Sequence, residues 1–444
     1  MNSNPDPRLP DVARRFLRYV RIDTQSDPAS TTVPTTAKQK DLSRLLVDEL
    51  QGLGIVDAEM DASGIVYATL EATALGPDGT ALPVVALFAH VDTAPDAPGT
   101  GVKPIVHFSY DGGVIALPGD PSVRLDPVRQ PALLRHIGED LITSDGTTLL
   151  GSDDKAGVAV LVQLAADLLD DPAPRPRVRL CFTVDEEVGR GTDHLDLERL
   201  GADVAYTIDG SDIDTISFET FNAASAQVTI DGIGVHPGYA RGVMVNALRI
   251  AGQLIAAMPE ADSPEHSGDR KGFIHPHTMV ASDVNRAEVM LILRDFDRDG
   301  LERRKRLVQS TVENLRLRYP GAVITLDLND QYCNMRSYIE DTDPRTVHFA
   351  LDAAAALGCK LEPEAVRGGT DGSRLSEMGL PTPNIFNGGM DFHSRFEWNT
   401  VQNLERTLVY VKQLVRTWAE RGHEPVDRRR GLDPRAILPS EPAS

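Results

Sequence analysis

The chain has few cysteines and no long apolar run. Three cysteines, Cys181, Cys333 and Cys359, are scattered along 444 residues, so neither a disulfide framework nor a zinc ribbon is expected. No apolar segment approaches the roughly 20 residues that a membrane-spanning helix needs. The N-terminus carries early prolines and acidic residues but lacks the apolar stretch of a signal peptide. We therefore expect a protein of the reducing cytoplasm with no membrane partner.

Basic residues are also scarce relative to acidic ones. Asp and Glu number 66 against 45 Lys and Arg, which gives a net charge of −21. Binding to nucleic acid requires clustered Lys and Arg, so a nucleic-acid partner is not expected. The excess of carboxylates favours solubility and leaves acidic side chains available as metal ligands.

Alternating apolar segments predict a discontinuous α/β domain. Strands and helices alternate along the first half of the chain, with strands at about 64–72, 83–90, 177–184 and 203–208 and helices at 36–53 and 156–169. This alternation is typical of a mostly parallel sheet. It returns after a different central segment, so we assign residues 1–216 and 334–444 to one domain. The Pro- and charge-rich composition of residues 424–444 predicts a disordered tail.

A second order of elements interrupts this domain at residues 217–333. Strand-like segments, a helix at 246–258, a strand at 288–296, a helix at about 299–318 and a strand at 322–332 follow one another. The resulting β-α-β-β-α-β order indicates a small ferredoxin-like α+β domain.

Potential metal ligands stand in five loops beside the predicted strands and helices. They are His90 with Asp92, Asp153 with Asp154, Glu186 with Glu187, Asp209, and His393. In a parallel sheet, functional groups gather beyond the carboxyl ends of the strands. We therefore expect these loops to meet in space although they are far apart in the sequence.

The residue types in these loops suit zinc. Imidazole and carboxylate groups are ordinary zinc ligands, and a catalytic site keeps one position open for water. The set exceeds the needs of one tetrahedral ion, whereas two ions about 3.5–4 Å apart would use it fully, with Asp153 as the bridge. Asp92 is placed to orient the imidazole of His90. Each motif alone has a simpler interpretation as surface chemistry, a helix start or a solvated turn. Their combination indicates a metal hydrolase.

The motifs also resemble a known family. In chain order they read AHVDTAPD, SDGTTLLGSDDKAG, TVDEEVGRG, AYTIDG, LRDFDR, RGGTDGSRLS and NGGMDFHSRFEW. Together they are similar to the peptidase T branch of the dizinc aminoacylase/carboxypeptidase family, whose members are tripeptide aminopeptidases. The resemblance covers about residues 10–420. It implies a zinc-peptidase-like α/β catalytic domain interrupted by a lid or dimerisation domain.

The resemblance assigns roles to the candidate ligands by position. The residues that match metal ligands are His90, Asp153, Glu187, Asp209 and His393. Asp153 would bridge, one ion would take His90 and Asp209, and the other would take Glu187 and His393. Glu186 matches the general base and Asp92 the residue that orients His90. The resemblance also implies a cis peptide bond between Asp153 and Asp154.

Further residues resemble groups that bind the substrate. His236 matches a histidine that holds the carbonyl oxygen of the scissile bond, often from the partner subunit of a dimer. Asn246 and Arg294 resemble residues that bind the peptide backbone or its carboxylate, and Gly369 and Thr370 belong to a loop on the substrate side. The simpler interpretations are a turn for His236, a helix cap for Asn246 and a structural ion pair for Arg294.

These observations predict a metal-dependent aminopeptidase that releases the N-terminal residue from tripeptides. The resemblance implies two Zn²⁺ ions per subunit, with Co²⁺ or Mn²⁺ able to substitute, and a homodimer formed through the inserted domain. Alternatives on the same scaffold are a dipeptidase, a carboxypeptidase or an N-acyl amino acid deacylase. The alternative from another class is a non-catalytic metal-binding dimer.

Overall fold

The computed structural model describes residues 6–268 and 270–433, which form two compact units. The first comprises Met1–Phe218, Ser337–Glu364 and Thr370–Ser444. The second comprises Glu219–Arg336 and Ala365–Gly369. Among the described helices, none combines the length and the apolar character that crossing a bilayer requires.

The α-helices are numbered in chain order within the described residues. Helices α1 to α10 span Asp11–Tyr19, Gln39–Gly52, Ser152–Asp170, Leu197–Leu200, Ala247–Ala256, Arg298–Arg318, Met335–Thr342, Arg345–Ala356, Asp371–Glu377 and Val401–Arg421. Short 3₁₀ turns connect several of them, including Glu186–Val188 and Pro237–Tyr239.

The strands are numbered in the same way. Strands β1 to β17 span Glu59–Met60, Val66–Leu70, Val85–His90, Ile105–His107, Ile115–Ala116, Arg124–Leu125, Leu141–Thr143, Val178–Thr183, Val204–Gly210, Thr215–Thr220, Asn222–Asp231, Phe273–Asp283, Arg286–Asp295, Val323–Tyr332, Glu362–Val366, Asn384–Phe386 and Trp398–Thr400.

An eight-stranded sheet organises the first unit, in the order β1-β2-β8-β3-β9-β16-β10-β15. Its central strands β8, β3, β9 and β16 are parallel, whereas β2 and β10 pair antiparallel to their neighbours. The sheet is thus mixed around a parallel centre. Residues 211–214, which join β9 to β10, are too few for the crossover connection that would make β10 run parallel to β9.

The central strands are largely buried because both faces of the sheet are covered. Every residue of β3 is buried, as is expected for a parallel strand between two layers of helices. Helix α3 packs against β3 and β9 on one face. A Cβ atom added to Gly157 of α3 would lie 2.4 Å from the carbonyl oxygen of Ile208. The helix can therefore approach the sheet this closely only with glycine at position 157.

The second unit contains a four-stranded antiparallel sheet in the order β12-β13-β11-β14. Helices α5 and α6 pack on it, which completes a β-α-β-β-α-β arrangement of the ferredoxin-like type. The alternating burial along β13 follows the two-residue period of a strand with one covered face. Its core includes Val228, Ile250, Leu291 and Val312.

Two smaller sheets in the first unit were not predicted. They have the strand orders β17-β7-β4 and β5-β6. Each strand is only two or three residues long, so it carries too few residues for an alternating apolar pattern.

The C-terminal segment departs from the prediction of disorder over residues 424–433. Leu432 is fully buried, and its amide donates to Glu340 Oε1 at 2.8 Å. Arg345 Nη1 donates to the carbonyl oxygens of Gly422, at 3.0 Å, and Glu424. One apolar anchor and paired carbonyl groups therefore hold these residues, and the charge-rich composition of the segment conceals both. Residues 434–444 of the predicted tail lie outside the described residues.

The close approach at Gly157 yields a prediction about stability. Gly157→Ala should lower the free energy of unfolding by about 1–3 kcal/mol, because the added methyl group overlaps the Ile208 carbonyl oxygen. Gly52→Ala is the control, since position 52 is a helical site with nothing within 4 Å of the added atom, and it should change stability by less than about 1 kcal/mol. Denaturant unfolding of both variants measures the difference. An equal change in stability in the two variants would show that overlap with the Ile208 carbonyl oxygen does not cause the loss.

Candidate metal centre

The carboxyl ends of β3, β8 and β9 lie at one edge of the first unit's sheet. His90, the last residue of β3, is in register with Thr183, the last residue of β8. Phe88 is in register with Thr207 of β9, which places Asp209 level with His90. Parallel pairing thus brings together residues that are separated by long stretches of sequence.

Asp153 lies between the two predicted imidazole ligands. Its Oδ1 atom is 2.9 Å from Nε2 of His90, and its Oδ2 atom is 3.1 Å from Nε2 of His393. Nε2 of His90 is also 3.4 Å from Asp209 Oδ1, and Nε2 of His393 is 2.9 Å from Glu187 Oε2. The five side chains therefore form two groups. Each group has one imidazole, one carboxylate of its own and one oxygen of Asp153.

The ring of His90 is held in a defined orientation. Its Nδ1 atom donates to the main-chain carbonyl oxygen of Asp92 at 3.1 Å and lies 3.4 Å from the Asp92 carboxylate. Because a carbonyl oxygen can only accept, Nδ1 carries the hydrogen, and Nε2 faces Asp153 and Asp209. Asp92 therefore contacts the His90 ring, more closely through its main chain than through its carboxylate.

The carboxylate of Asp92 has a second set of partners that the sequence did not indicate. Its two oxygens accept hydrogen bonds from the amides of Glu186 and Glu187 at 3.1 and 3.2 Å. Asp92 is fully buried, so these amides are shielded from water. One carboxylate thus fixes both the His90 loop and the turn that carries the paired glutamates.

Asp185, two residues after the end of strand β8, redirects the chain into that turn. Its backbone is left-handed, with φ of 61°, and the 3₁₀ turn Glu186–Val188 follows directly. The Asp185 carboxylate accepts from Thr35 N at 2.8 Å and from Gln39 Nε2 at 2.6 Å. These contacts tie the turn to the start of α2. The change of direction releases Glu186 and Glu187 from the alternation of an extended strand.

Asp154 is close enough to be considered a ligand, but its oxygens already have donors. Ligand atoms of His90, Asp154 and Asp209 lie within 4.8 Å of one another, as do those of His90, Asp153 and Glu187. Asp154 Oδ2 accepts from His90 N at 3.2 Å, and its Oδ1 accepts from Asn387 Nδ2 at 3.0 Å. Asp154 therefore suits a positioning role better than a metal-binding one. The peptide bond between Asp153 and Asp154 is cis.

Glu187 supplies an independent sign that a cation belongs here. Its side chain is 4% exposed, and its Oε1 atom is buried without a hydrogen-bond partner. Such an atom loses its hydration unless a donor or a cation replaces the water. The neighbouring ligand set consists of carboxylate oxygens and imidazole nitrogens, which is the chemistry that zinc prefers. The residues therefore fit a metal ion.

The ligand carboxylates and imidazoles perturb one another strongly. Burial, then the nearby Asp153, raises the pKa of Glu187 to about 8, and the same two causes raise that of Asp209 to about 6. Hydrogen bonds to Asp153 and Glu187 raise the pKa of His393 to about 11. Burial opposes a charged His90, but Asp209 and the other carboxylates raise its pKa well above the ordinary value. The centre thus holds protons that a bound cation would displace.

Glu186 stands next to the ligands, and it forms no ion pair with a histidine among the described residues. Burial, and then the charges of Asp209 and Asp371, raise its pKa well above the ordinary value. A glutamate with a raised pKa is a stronger proton acceptor than a fully exposed one.

Two buried carboxylates at the centre were missed by the sequence interpretation. Asp371, within RGGTDG, accepts from Thr183 Oγ1 at 3.1 Å, and burial raises its pKa to about 7. Glu397, four residues after His393, is 1% exposed and accepts hydrogen bonds from the loop that carries Asp153. Both lie inside motifs in which other residues, Gly369, Thr370 and His393, were the candidates. For Glu397, an acidic residue between Phe396 and Trp398 was the available signal.

Most of the predicted substrate-binding residues belong to the second unit. His236 is exposed, and its Nδ1 atom accepts from Gly238 N at 3.2 Å. Asn246 caps α5 by accepting from Arg249 N at 3.2 Å. The turn and helix-cap contacts of the simpler interpretations are therefore present for these two residues.

Arg294 makes no ion pair with any described residue. Its Nη1 donates to the carbonyl oxygens of Ala224 and Leu293 at 3.2 and 2.9 Å, and its guanidinium carbon is 5.4 Å from the ring centre of Tyr332. The carboxylate partner proposed by the simpler interpretation is absent from this part of the chain.

The loop with Gly369 and Thr370 spans the boundary between the two units. Gly369 is exposed and belongs to the second unit, whereas Thr370 belongs to the first. Thr370 forms a reciprocal capping box with Ser373 at the start of α9. This cap fixes the backbone that leads to Asp371.

Comparison with known sequences places the chain beside peptidases. Residues 218–374 match the model of the peptidase dimerisation domain. A peptidase T of Geobacillus kaustophilus is 41% identical over 412 residues, which covers 93% of this chain and 99% of that protein. A peptidase T of Clostridium botulinum is 40% identical over 414 residues, which covers 93% and 100% respectively.

Solved structures show the same fold. The aminopeptidase PepT from Bacillus cereus superposes with a TM-score of 0.71 at 22% identity, covering 92% of this chain and 98% of that one. A dinuclear metal-binding peptidase of the M20 family from Bacillus subtilis gives a TM-score of 0.62 at 14% identity, with 92% and 98% covered. The predicted α/β domain with an inserted smaller domain is thereby confirmed as the fold class.

The protonated state of the centre yields a prediction about metal binding. Loading Zn²⁺ at pH 7 should release about three protons, because Glu187 and His393 have pKa values of about 8 and 11, the pKa of His90 is raised well above its ordinary value, and all three must lose a proton to bind metal. Affinity should therefore rise with pH. Calorimetry in buffers of different ionisation enthalpy measures the release, and Glu187→Gln should reduce it. An enthalpy of Zn²⁺ binding that is the same in every buffer would show that no protons are released.

Proposed function

The chain belongs to the peptidase T family, and from this membership we propose that its metal centre hydrolyses the first peptide bond of tripeptides. It is a metal-dependent aminopeptidase. The observation that carries the proposal is the position of Asp153, whose two oxygens face the Nε2 atoms of His90 and His393. A carboxylate so placed suits a bridge between two ions.

We assign three residues to each of the two ions, and Asp153 belongs to both sets. We assign one ion to His90, Asp209 and Asp153, and the other to His393, Glu187 and Asp153. Zn²⁺ fits these nitrogen and oxygen donors, and Co²⁺ or Mn²⁺ accept the same ligands. When bound, the ions supply a water molecule of lowered pKa and polarise the carbonyl group of the substrate.

Glu186 is proposed as the general base. It accepts a proton from the attacking water and returns it to the nitrogen of the leaving amine. Its place beside Glu187 in one turn, with both amides bound by Asp92, holds it next to the ligands without making it one. Its raised pKa favours uptake of the proton from the water.

The second unit is proposed to recognise the substrate. His236 would hold the scissile carbonyl oxygen, while Asn246 and Arg294 would bind the peptide backbone and its terminal carboxylate. Gly369 and Thr370 would line the substrate side. Arg294 suits this role because its guanidinium contacts carbonyl oxygens and an aromatic ring, which leave its charge uncompensated within the described residues. A carboxylate bound there would limit the length of the peptide.

The domain division and assembly follow from the same proposal. Residues 1–216 and 334–444 would bind metal, and residues 217–333 would form the lid and the interface of a homodimer. The match of residues 218–374 to the peptidase dimerisation domain supports this assembly. We place the enzyme in the cytoplasm, which agrees with Cys181, Cys333 and Cys359 being free thiols.

The proposed base can be separated from the ligands by substitution. Glu186→Gln should retain the metal content of the parent enzyme and lower kcat by about 10²–10⁴-fold, because the proton acceptor is lost while the ligands remain. Glu198→Gln, at an exposed glutamate of α4, is the control and should retain full activity. Metal analysis and tripeptide hydrolysis are measured on each preparation. Near-parental turnover by the Glu186 variant would refute the assignment.

Metal dependence and peptide length form a second test. Prolonged chelation should abolish cleavage of tripeptides, and added Zn²⁺, Co²⁺ or Mn²⁺ should restore it. Di-, tri- and tetrapeptides and N-acylated amino acids, compared by kcat/KM, should show a preference for tripeptides with a free amino terminus. Full turnover by protein shown to contain no metal would remove the metal mechanism. Preferred cleavage of dipeptides or acylated substrates would replace the proposed specificity.

A further inference from the structure

We infer that Glu397 is a positioning residue that fixes the bridging carboxylate of Asp153 by binding the main-chain amides of its loop. This inference rests on the proposed metal centre and adds a residue that is neither a ligand nor the base. It concerns two segments of the first unit: the bridging loop, residues 150–154, and the C-terminal clamp, residues 387–399.

Glu397 binds the main chain of the bridging loop with both carboxylate oxygens. Its Oε2 atom accepts from the amides of Leu150 and Gly151, each at 2.8 Å. Its Oε1 atom accepts from the amide of Asp153 at 3.0 Å. Glu397 is 1% exposed, so water cannot substitute for these bonds. Three amide groups thus depend on one buried carboxylate.

The bridging loop needs this external acceptor because of the way helix α3 begins. Gly151 precedes the helix with φ of 83°, and its position provides no side-chain cap. Asp153 and Asp154 have non-helical backbone angles within the first turn, so their amides do not join the regular pattern of the helix. A carboxylate is favoured at a helix N-terminus, where amide groups point outwards. Glu397 supplies it from a distant part of the chain.

Two asparagines of the C-terminal clamp complete the contact with the bridging loop. Asn399 Nδ2 donates to Ser152 Oγ at 2.8 Å, and Asn387 Nδ2 donates to Asp154 Oδ1 at 3.0 Å. With the three bonds to Glu397, every residue of the bridging loop is held by the clamp. The loop therefore cannot shift unless the clamp shifts with it.

The same clamp carries one of the imidazoles that face Asp153. His393 Nε2 lies 3.1 Å from Asp153 Oδ2, four residues before Glu397. The clamp thus determines both where the main chain of Asp153 lies and where one imidazole stands relative to its carboxylate. Because Asp153 faces both ligand groups, displacement of its loop affects the two ion positions together.

The test replaces Glu397 by glutamine. Glu397→Gln keeps the side-chain shape but puts an NH₂ donor where an amide needs an acceptor. We expect the affinity for Zn²⁺ at both positions to fall by about 10–100-fold, as for other groups that hold metal ligands in place. Competition with a chelator of known affinity measures this on the full chain. The kcat for tripeptides should fall by a similar factor with little change in KM.

Two control variants separate positioning from general stability. Glu405→Gln changes an exposed glutamate of α10 and should leave metal affinity unchanged. Trp418→Phe removes the buried bond from Trp418 Nε1 to Tyr206 OH, 2.8 Å long, and should lower the melting temperature without touching the bridging loop. Zn²⁺ affinity that falls equally in the Trp418 and Glu397 variants would overturn the inference.

The remaining outcomes are also decisive. Unchanged Zn²⁺ affinity in Glu397→Gln overturns the role of Glu397 but leaves the proposed metal centre intact. A parent protein that binds no Zn²⁺ overturns both. If the Glu397 variant does not fold, Asn399→Ala carries the test. It removes the bond to Ser152 and two bonds within the C-terminal segment, to the Asn387 carbonyl oxygen and from the Thr400 amide, and should weaken Zn²⁺ binding in the same direction by a smaller factor. Unchanged affinity in that variant overturns the inference.

Discussion

Repulsion between buried carboxylates is the constraint on which the first unit depends. Its centre gathers eight carboxyl groups around two imidazoles, namely Asp92, Asp153, Asp154, Glu186, Glu187, Asp209, Asp371 and Glu397. These carboxyl groups differ in the kind of group that each one contacts. Asp92, Asp154 and Glu397 accept hydrogen bonds from main-chain amides, which offset part of the cost of burying these groups without any ion. Asp153, Glu187 and Asp209 face imidazoles instead, and a cation would relieve the repulsion that remains among them.

This division explains how neighbouring acidic residues take different roles. In DEE at 185–187, Asp185 anchors the turn to α2, Glu187 faces an imidazole, and Glu186 faces none. The adjacent pair Asp153 and Asp154 divides in the same way, since Asp153 contacts both histidines while Asp154 binds main-chain and amide groups. In each case, one acidic residue has hydrogen-bond donors for its carboxylate. It holds the adjacent acidic residue where that residue's carboxylate faces an imidazole instead. Local backbone geometry creates this difference, because a left-handed Asp185 redirects the chain.

Much of the architecture could be predicted because strong periodic patterns mark it. The apolar run of β3 and the buried helix α3 were expected from sequence, as was the β-α-β-β-α-β order of the second unit. Short strands such as β4 and β7 carry too few residues to show a period. Asn246 illustrates a different limit: its cap contact is visible in the structure, while its role towards substrate remains a proposal. Leu432 shows that one apolar anchor can order a segment whose composition indicates disorder.

The sequence by itself determined the class of chemistry, because imidazoles and carboxylates at strand ends, in motifs typical of a peptidase family, specify both ligand types and a parallel sheet that gathers them. Only the tertiary structure decided which oxygen faces which nitrogen. The parallel register sets His90 level with Asp209, and the C-terminal clamp sets His393 against the carboxylate of Asp153 and Glu397 against its main-chain amide. These relations join residues that are remote in the chain, and hydrogen bonds between buried groups become defined only once packing has excluded water.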